Sequence, residues 1–229
     1  VDLAESEPEQ AQKINATGAA NLARACSESG TRLIHISTDF VFDGRSSTPY
    51  RPESTTDPVG EYGRSKLAGE QAIEQCYPGS LIVRTAWVYS SFGGNFVKTM
   101  LRVMKERHQL SVVADQIGTP TWARGLAQAL WQFALRPDLR GIYHWTDAGV
   151  CSWYDFAVAI AEEAVAAGLL AREPAVLPIP AVDYPTPAAR PAFSVLDKSK
   201  SWTDLGVAGV HWRSQLRTML QDLKELELG

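Results

Sequence analysis

Tyr62 and Lys66 stand four residues apart in the stretch GEYGRSKLAGE, residues 60 to 70. On a helix that spacing puts both side chains on one face. A phenol ionises near pH 10 and is a poor acid at neutrality, but a neighbouring ammonium favours the phenolate and lowers that value. The pair is thereby a proton donor for a carbonyl substrate. The same spacing also arises on a solvated helix face, so a second feature has to decide. IHISTDF, residues 34 to 40, supplies it: an apolar run ends in Ser37 and Thr38, whose hydroxyls can bond the same carbonyl oxygen. A hydroxyl at a strand end, a tyrosine 24 residues later and a lysine one turn beyond it form a constellation that can bind and protonate one carbonyl oxygen.

The elements that must position these groups are legible in the apolar rhythm. Residues 8 to 30 read as a helix, with Pro8 in the first turn and Gly30 as its stop, and TRLIHIS, 31 to 37, reads as a buried strand. Residues 38 to 59 hold three prolines and the pair Asp43-Gly44, which makes them a long loop of the kind that carries function. A helix follows from about Tyr62 to Gln75, then a second apolar strand, SLIVRTAWVY, at 80 to 89. Helices at 93 to 106 and 121 to 135 alternate with strands at 110 to 115 and 141 to 146, and Ser152 with Asp155 opens a further helix. Six prolines between Arg172 and Pro191 predict a wrapping connection with no regular element. A last helix near 211 to 226 carries Trp212, Leu216, Leu220 and Leu223 as its buried stripe. Alternating strands and helices predict an α/β fold with a parallel sheet covered on both faces, whose ligands bind where strands end.

The composition narrows the ligand class. A net charge of −4 without a basic cluster gives no footprint for nucleic acid, and no apolar run is long enough to cross a bilayer. Cys26, Cys76 and Cys151 are isolated and odd in number, which fits a reducing compartment, the cytoplasm by default. His35, His108, His144 and His211 are scattered without metal-ligand spacing, so no metal site is expected. Arg84 ends an apolar strand and needs a partner, either a ligand phosphate or a structural carboxylate.

The Ser/Thr-Tyr-Lys constellation is that of the short-chain dehydrogenases, and the resemblance extends well beyond it. STDFVFDG, PY, YGRSKLAGE, RTAWVY, NFVKTML, DQIGTPT and ARPAFSVLD resemble, in order along the chain, the motifs of the dTDP-4-dehydrorhamnose reductase family. The resemblance implies NAD(P)H-dependent reduction of the C4 ketone of dTDP-4-dehydro-L-rhamnose. Thr38 would hold the carbonyl, Tyr62 would donate the proton, and Lys66 would lower the phenol's pKa and bind the nicotinamide ribose, with Ser37 also on the cofactor. Asn15 matches an asparagine that supports the lysine through a water in related enzymes. Asp39, Phe40 and Trp87 would surround the sugar, and Arg190 is a candidate for the nucleotide diphosphate, a good match for guanidinium.

By the same resemblance the fold is the remaining part of a doubly wound, Rossmann-like sheet. Residues 1–147 are expected to form a partial NAD(P)-binding domain carrying the triad, and 148–229 a substrate-binding lobe, with some interleaving. The sequence shows no glycine-rich fingerprint for a dinucleotide pyrophosphate, and Val1 aligns just past the family's fourth strand. The expectation is therefore weak or no binding of NADPH or NADH by this chain alone, with a homodimer or a complementing N-terminal segment as partner. Phe40 stands where many relatives carry tyrosine, a departure that bears on sugar choice. Two other readings use the same residues: a nucleotide-sugar epimerase or dehydratase, and a reductase-like regulatory subunit without catalysis.

Overall fold

The structure, a computed structural model, describes residues 1–228. Helices and strands alternate along its first part: α1 (Asp2–Ser6), α2 (Pro8–Gln12), a π-helical stretch (Lys13–Gly18), α3 (Ala19–Ser29), β1 (Ile34–Thr38), α4 (Glu61–Cys76) and β2 (Leu81–Thr85). They continue as β3 (Val88–Tyr89), α5 (Phe96–Glu106), β4 (Gln109–Val113), β5 (Ile117–Gly118), β6 (Thr121–Trp122), α6 (Ala123–Ala134) and β7 (Gly141–His144). The remainder is β8 (Cys151–Ser152), α7 (Trp153–Ala166), β9 (Ala175–Ile179), α8 (Ser199–Leu205) and α9 (Trp212–Leu228).

Two units divide these elements. The first takes Val1–Ala86, Ala129–Trp145 and Thr186–Val207. Its sheet has the order β1-β2-β7, parallel throughout, with Thr38 level with Thr85 and Arg84 level with His144. Parallel pairing follows from the α4 crossover between β1 and β2, and all five residues of β2 are buried, as a strand covered on both faces requires. Ala19 and Ala23 of α3 pack with Ile73 of α4 and Ile82 of β2, and burying each such isoleucine is worth about 1.5–3 kcal/mol. Val41, Phe42, Tyr50 and Leu196 form a further apolar cluster that anchors the loop after β1.

The second unit takes Trp87–Gln128, Thr146–Pro185 and the chain from Ala208 onward. Its core joins Val97 and Leu101 of α5, Phe156 and Ile160 of α7, and Leu216 and Leu220 of α9, with Trp212 and Leu223 buried as the apolar stripe predicts. Three two-stranded sheets surround this core: β3 with β6 and β4 with β9 in parallel, and β5 with β8 antiparallel. Ser152 and Asp155 close a capping box that starts α7.

One expectation meets a different arrangement. The proline-rich segment contains a strand after all, β9, because a two-stranded sheet has outer edges where Pro178, opposite Val112, sacrifices no ladder hydrogen bond. The division expected after residue 147, with some interleaving, lies two residues from a boundary between the units, and each unit is assembled from three separate segments. Among the described residues no helix is long and apolar enough to cross a membrane.

Candidate active site

β1 ends by delivering Thr38 into a single 3-10 turn, Asp39–Val41. The Thr38 hydroxyl caps that turn by accepting from the Phe40 amide at 3.2 Å, and it donates to Asp39 Oδ1 at 3.0 Å. Both Thr38 and Asp39 are buried. Burial raises the Asp39 carboxyl to about 6, against the opposing pull of hydrogen bonds from Ser194 and Thr38.

Tyr62 enters from the first turn of α4, and its phenol lies close enough to the Thr38 hydroxyl for the two to interact. Its ring meets the edge of Phe40 at 5.6 Å between centroids and 76° between planes. That approach depends on Gly63, since a Cβ there would collide with the Phe40 carbonyl oxygen and Pro58. One turn later the Lys66 ammonium donates to the Ile36 carbonyl at 2.8 Å and lies 3.3 Å from His35 Nε2. Thr38, Tyr62 and Lys66 are thus gathered at the carboxyl end of β1.

The electrostatics differ from the expectation in one respect. The phenol's pKa is raised rather than lowered: burial dominates, the Thr38 hydrogen bond opposes it, and the Asp39 charge adds to the rise. Lys66 is directed at β1, and its own pKa is lowered by burial, with the Glu70 carboxylate opposing. A phenol in this state keeps its proton at neutral pH.

Asn15 makes its own side-chain bond beside α4. It lies in the π-helical stretch, and its Nδ2 donates to Ser65 Oγ at 2.9 Å, while Ser65 Oγ donates to the Tyr62 carbonyl at 2.9 Å. A Cβ on Gly69 would strike the Asn15 carbonyl oxygen, so this stretch and α4 meet backbone to backbone beside the site. A π turn of this kind inside a longer helix is frequent at functional sites.

Arg84 finds its partner in α4. The guanidinium donates to Glu70 at 2.6, 2.9 and 3.2 Å and to the Pro52 carbonyl at 3.2 Å, and lies 5.1 Å from the Phe42 ring centroid. The pair's side chains are 3% and 2% exposed, which settles the open question in favour of a structural carboxylate.

Other expected residues take other surroundings. The Ser37 hydroxyl is buried without a hydrogen-bond partner, as is that of Thr85 opposite Thr38. Arg190 is held by Asp2 through two bonds of 3.0 Å, and also reaches Thr186 and the Ala188 carbonyl, so a carboxylate of this chain occupies the guanidinium expected to face a diphosphate. Trp87 belongs to the second unit, where its ring stacks on Trp153 at 3.5 Å. Its backbone has φ of 48°, the one non-glycine positive φ among the described residues, a strain of the sort found at ligand clamps. Sequence reasoning passed over His35 and Ser194. A polar residue inside the apolar run LIHIS was the available signal for His35, and Ser194 offered none.

Comparison with known proteins matches residues 1–225 to the RmlD substrate binding domain. The dTDP-4-dehydrorhamnose reductase of Escherichia coli K12 is 42% identical over 227 residues, covering 97% of this chain and 76% of the relative. The spore coat polysaccharide biosynthesis protein SpsK of Bacillus subtilis is 42% identical over 222 residues, covering 97% of this chain and 75% of that one. Among solved structures, the dTDP-4-dehydrorhamnose reductase of Bacillus anthracis in complex with NADP superposes with a TM-score of 0.90 at 38% identity, covering 97% of this chain and 76% of its own. The Clostridium acetobutylicum reductase gives 0.91 at 37%, covering 98% and 77%.

Proposed function

The chain belongs to the RmlD substrate binding domain family, and from that membership we propose that Thr38, Tyr62 and Lys66 carry its reaction. That reaction is the NAD(P)H-dependent reduction of the C4 ketone of dTDP-4-dehydro-L-rhamnose to dTDP-L-rhamnose, an oxidoreductase step in nucleotide-sugar biosynthesis. The observation that carries the residue assignment is the meeting of two hydroxyls, those of Thr38 and Tyr62, at the carboxyl end of a parallel strand with an ammonium one helical turn away.

The raised pKa of Tyr62 suits reduction. As hydride adds to C4, the carbonyl oxygen becomes an alkoxide, a far stronger base than a phenolate, so a phenol that has kept its proton gives it up downhill. Thr38 orients the carbonyl once its single hydroxyl proton turns from Asp39 to the substrate oxygen, and the alkoxide is stabilised as it forms because both hydroxyls stand at the strand end, largely shielded from water. Asp39 fixes the Thr38 hydroxyl, and its charge helps keep the phenol protonated.

The residues present fit the nicotinamide end of a dinucleotide. Lys66 has one N–H beyond those directed at Ile36 and His35, and with the Tyr62 hydroxyl it suits a ribose diol. The partnerless Ser37 hydroxyl is a third polar group at that strand end. When bound, the nicotinamide supplies the hydride. The sugar contacts fall to Asp39 and Phe40. At Arg190 a diphosphate would share the guanidinium with the Asp2 carboxylate. Three free cysteines support a reducing, cytoplasmic setting.

The test follows nicotinamide absorbance with NADPH and dTDP-4-dehydro-L-rhamnose, comparing the full chain with Tyr62→Phe. A wild-type rate that the variant loses is the expected result; equal rates would remove Tyr62 as proton donor.

A further inference from the structure

We infer that His35 is a positioning residue for Lys66: its neutral imidazole accepts, at Nε2, a hydrogen bond from the Lys66 ammonium and, with the Ile36 carbonyl, fixes that ammonium at the carboxyl end of β1. The inference rests on reading Lys66 as a working part of the reductase site.

The geometry requires this polarity. An ammonium has three N–H groups and no lone pair, so it can only donate. Lys66 Nζ lies 2.8 Å from the Ile36 carbonyl oxygen and 3.3 Å from His35 Nε2. An imidazole carrying its proton on Nε2 would set donor against donor there. His35 is therefore the tautomer with hydrogen on Nδ1 and a bare Nε2. Consecutive residues of one strand supply both acceptors, which holds the long lysine side chain from two directions and leaves one N–H for a ligand.

Burial reinforces the arrangement. It is the main reason that His35 is held down to about 4, and the Lys66 charge pushes the same way, so the imidazole is neutral at physiological pH. The charged groups that act on this pair are few: Lys66 on His35, and Glu70 of α4 on Lys66. An ammonium partly removed from water needs acceptors to remain charged, and His35 provides one of two. Without it Lys66 would swing toward water or lose its proton more readily, and the ribose would meet a mobile group.

Two spectra test the inference without substrate or cofactor. In a long-range proton–nitrogen spectrum of the full chain at neutral pH, with His35 assigned through His35→Gln, Nε2 should be the unprotonated nitrogen; a proton on Nε2 overturns the proposal. The second follows the lysine ε-carbons through a pH titration, with Lys66 assigned through Lys66→Arg. His35→Phe keeps a ring of similar size without an acceptor and should lower the Lys66 midpoint by about one pH unit, while His35→Gln, which restores an acceptor, should stay near wild type. An unchanged midpoint in His35→Phe, or a shift as large in His35→Gln, overturns it. In turnover, His35→Phe should lower kcat several-fold with KM for the sugar unchanged, and His35→Gln should recover most of the loss. Absence of reductase activity in the wild-type chain would sink the reading of the reaction, whereas the two spectra judge His35 by themselves. The first spectrum needs no folded variant beyond the one used for assignment.

Discussion

Two polar clusters lie one turn apart on α4 and are built in opposite ways. At residue 70 a carboxylate is saturated: Glu70 receives three bonds from Arg84, and both side chains are sealed from water. At residues 62 and 66 the groups are held but not saturated. The Tyr62 phenol meets the Thr38 hydroxyl, Lys66 retains an uncommitted N–H, and the hydroxyls of Ser37 and Thr85 have no partner at the same strand ends. A buried charge with every bond made is a structural device, because nothing remains for a ligand to use. Hydroxyls and an ammonium left with spare capacity beside a strand end are what a site needs, since a ligand can complete them.

The contrast is sharpest if each cluster is broken in turn. Tyr62→Phe should leave the fold intact, because the ring keeps its edge contact with Phe40, and should lower kcat about 10³-fold. Thermal unfolding beside the rate assay separates the two effects. Arg84→Met should behave in reverse: Glu70 is left charged and buried, at a loss of roughly 3–4 kcal/mol in denaturant unfolding, with kcat of the folded fraction little changed. Adding Glu70→Met should recover much of that stability. Recovery of activity instead would move Glu70 into the site.

Asp39 lies between the two types, a buried carboxyl with one oxygen bonded by Thr38, the other without a hydrogen-bond partner, and no cation. Its folded value of about 6 exceeds the ordinary 3.8, so between those values the folded state holds more protons than the unfolded state. Stability from this group is therefore full at low pH and declines as pH rises through about 6, by about 3 kcal/mol at most. The advantage of Asp39→Asn over wild type should grow from about pH 4 to about pH 7. Denaturant midpoints at the two pH values read that double difference directly, and a constant difference would mean the carboxyl titrates alike in both states.

How much of this was legible in the sequence depended on whether a feature was local. The apolar run of β1, the helix carrying Tyr62 and Lys66, and the cap of α7 are short-range patterns, and each formed where its spacing predicts. The partners of charged groups were not legible, because they join positions distant in the chain: Glu70 with Arg84, Asp2 with Arg190, His35 with Lys66. The phenol's electrostatics failed for the same reason. The i and i+4 spacing places Lys66 near Tyr62, but it cannot reveal that β1 offers the ammonium two acceptors and turns it away. Proline density likewise argued against β9, whose outer-edge position only the fold discloses.

The smallest expected effect probes the partnerless hydroxyls. Thr85 is level with Thr38 in the parallel register, buried, and without a hydrogen-bond partner. Replacing it by valine keeps the β-branched shape and removes a polar atom that folding has stripped of water. If the hydroxyl is only a burden on the fold, Thr85→Val should be neutral or stabilising by up to about 1 kcal/mol, with kcat and KM unchanged. If a ligand completes it, the same variant should gain that stability in the free chain and lose it when cofactor or sugar is added, together with a several-fold rise in KM. Unfolding with and without ligand separates these outcomes. Ser37→Ala, made in parallel, asks the same of the hydroxyl that precedes Thr38. A ligand-dependent loss at Ser37 alone would confine the open side of the site to β1, and a loss at both would extend it across to β2.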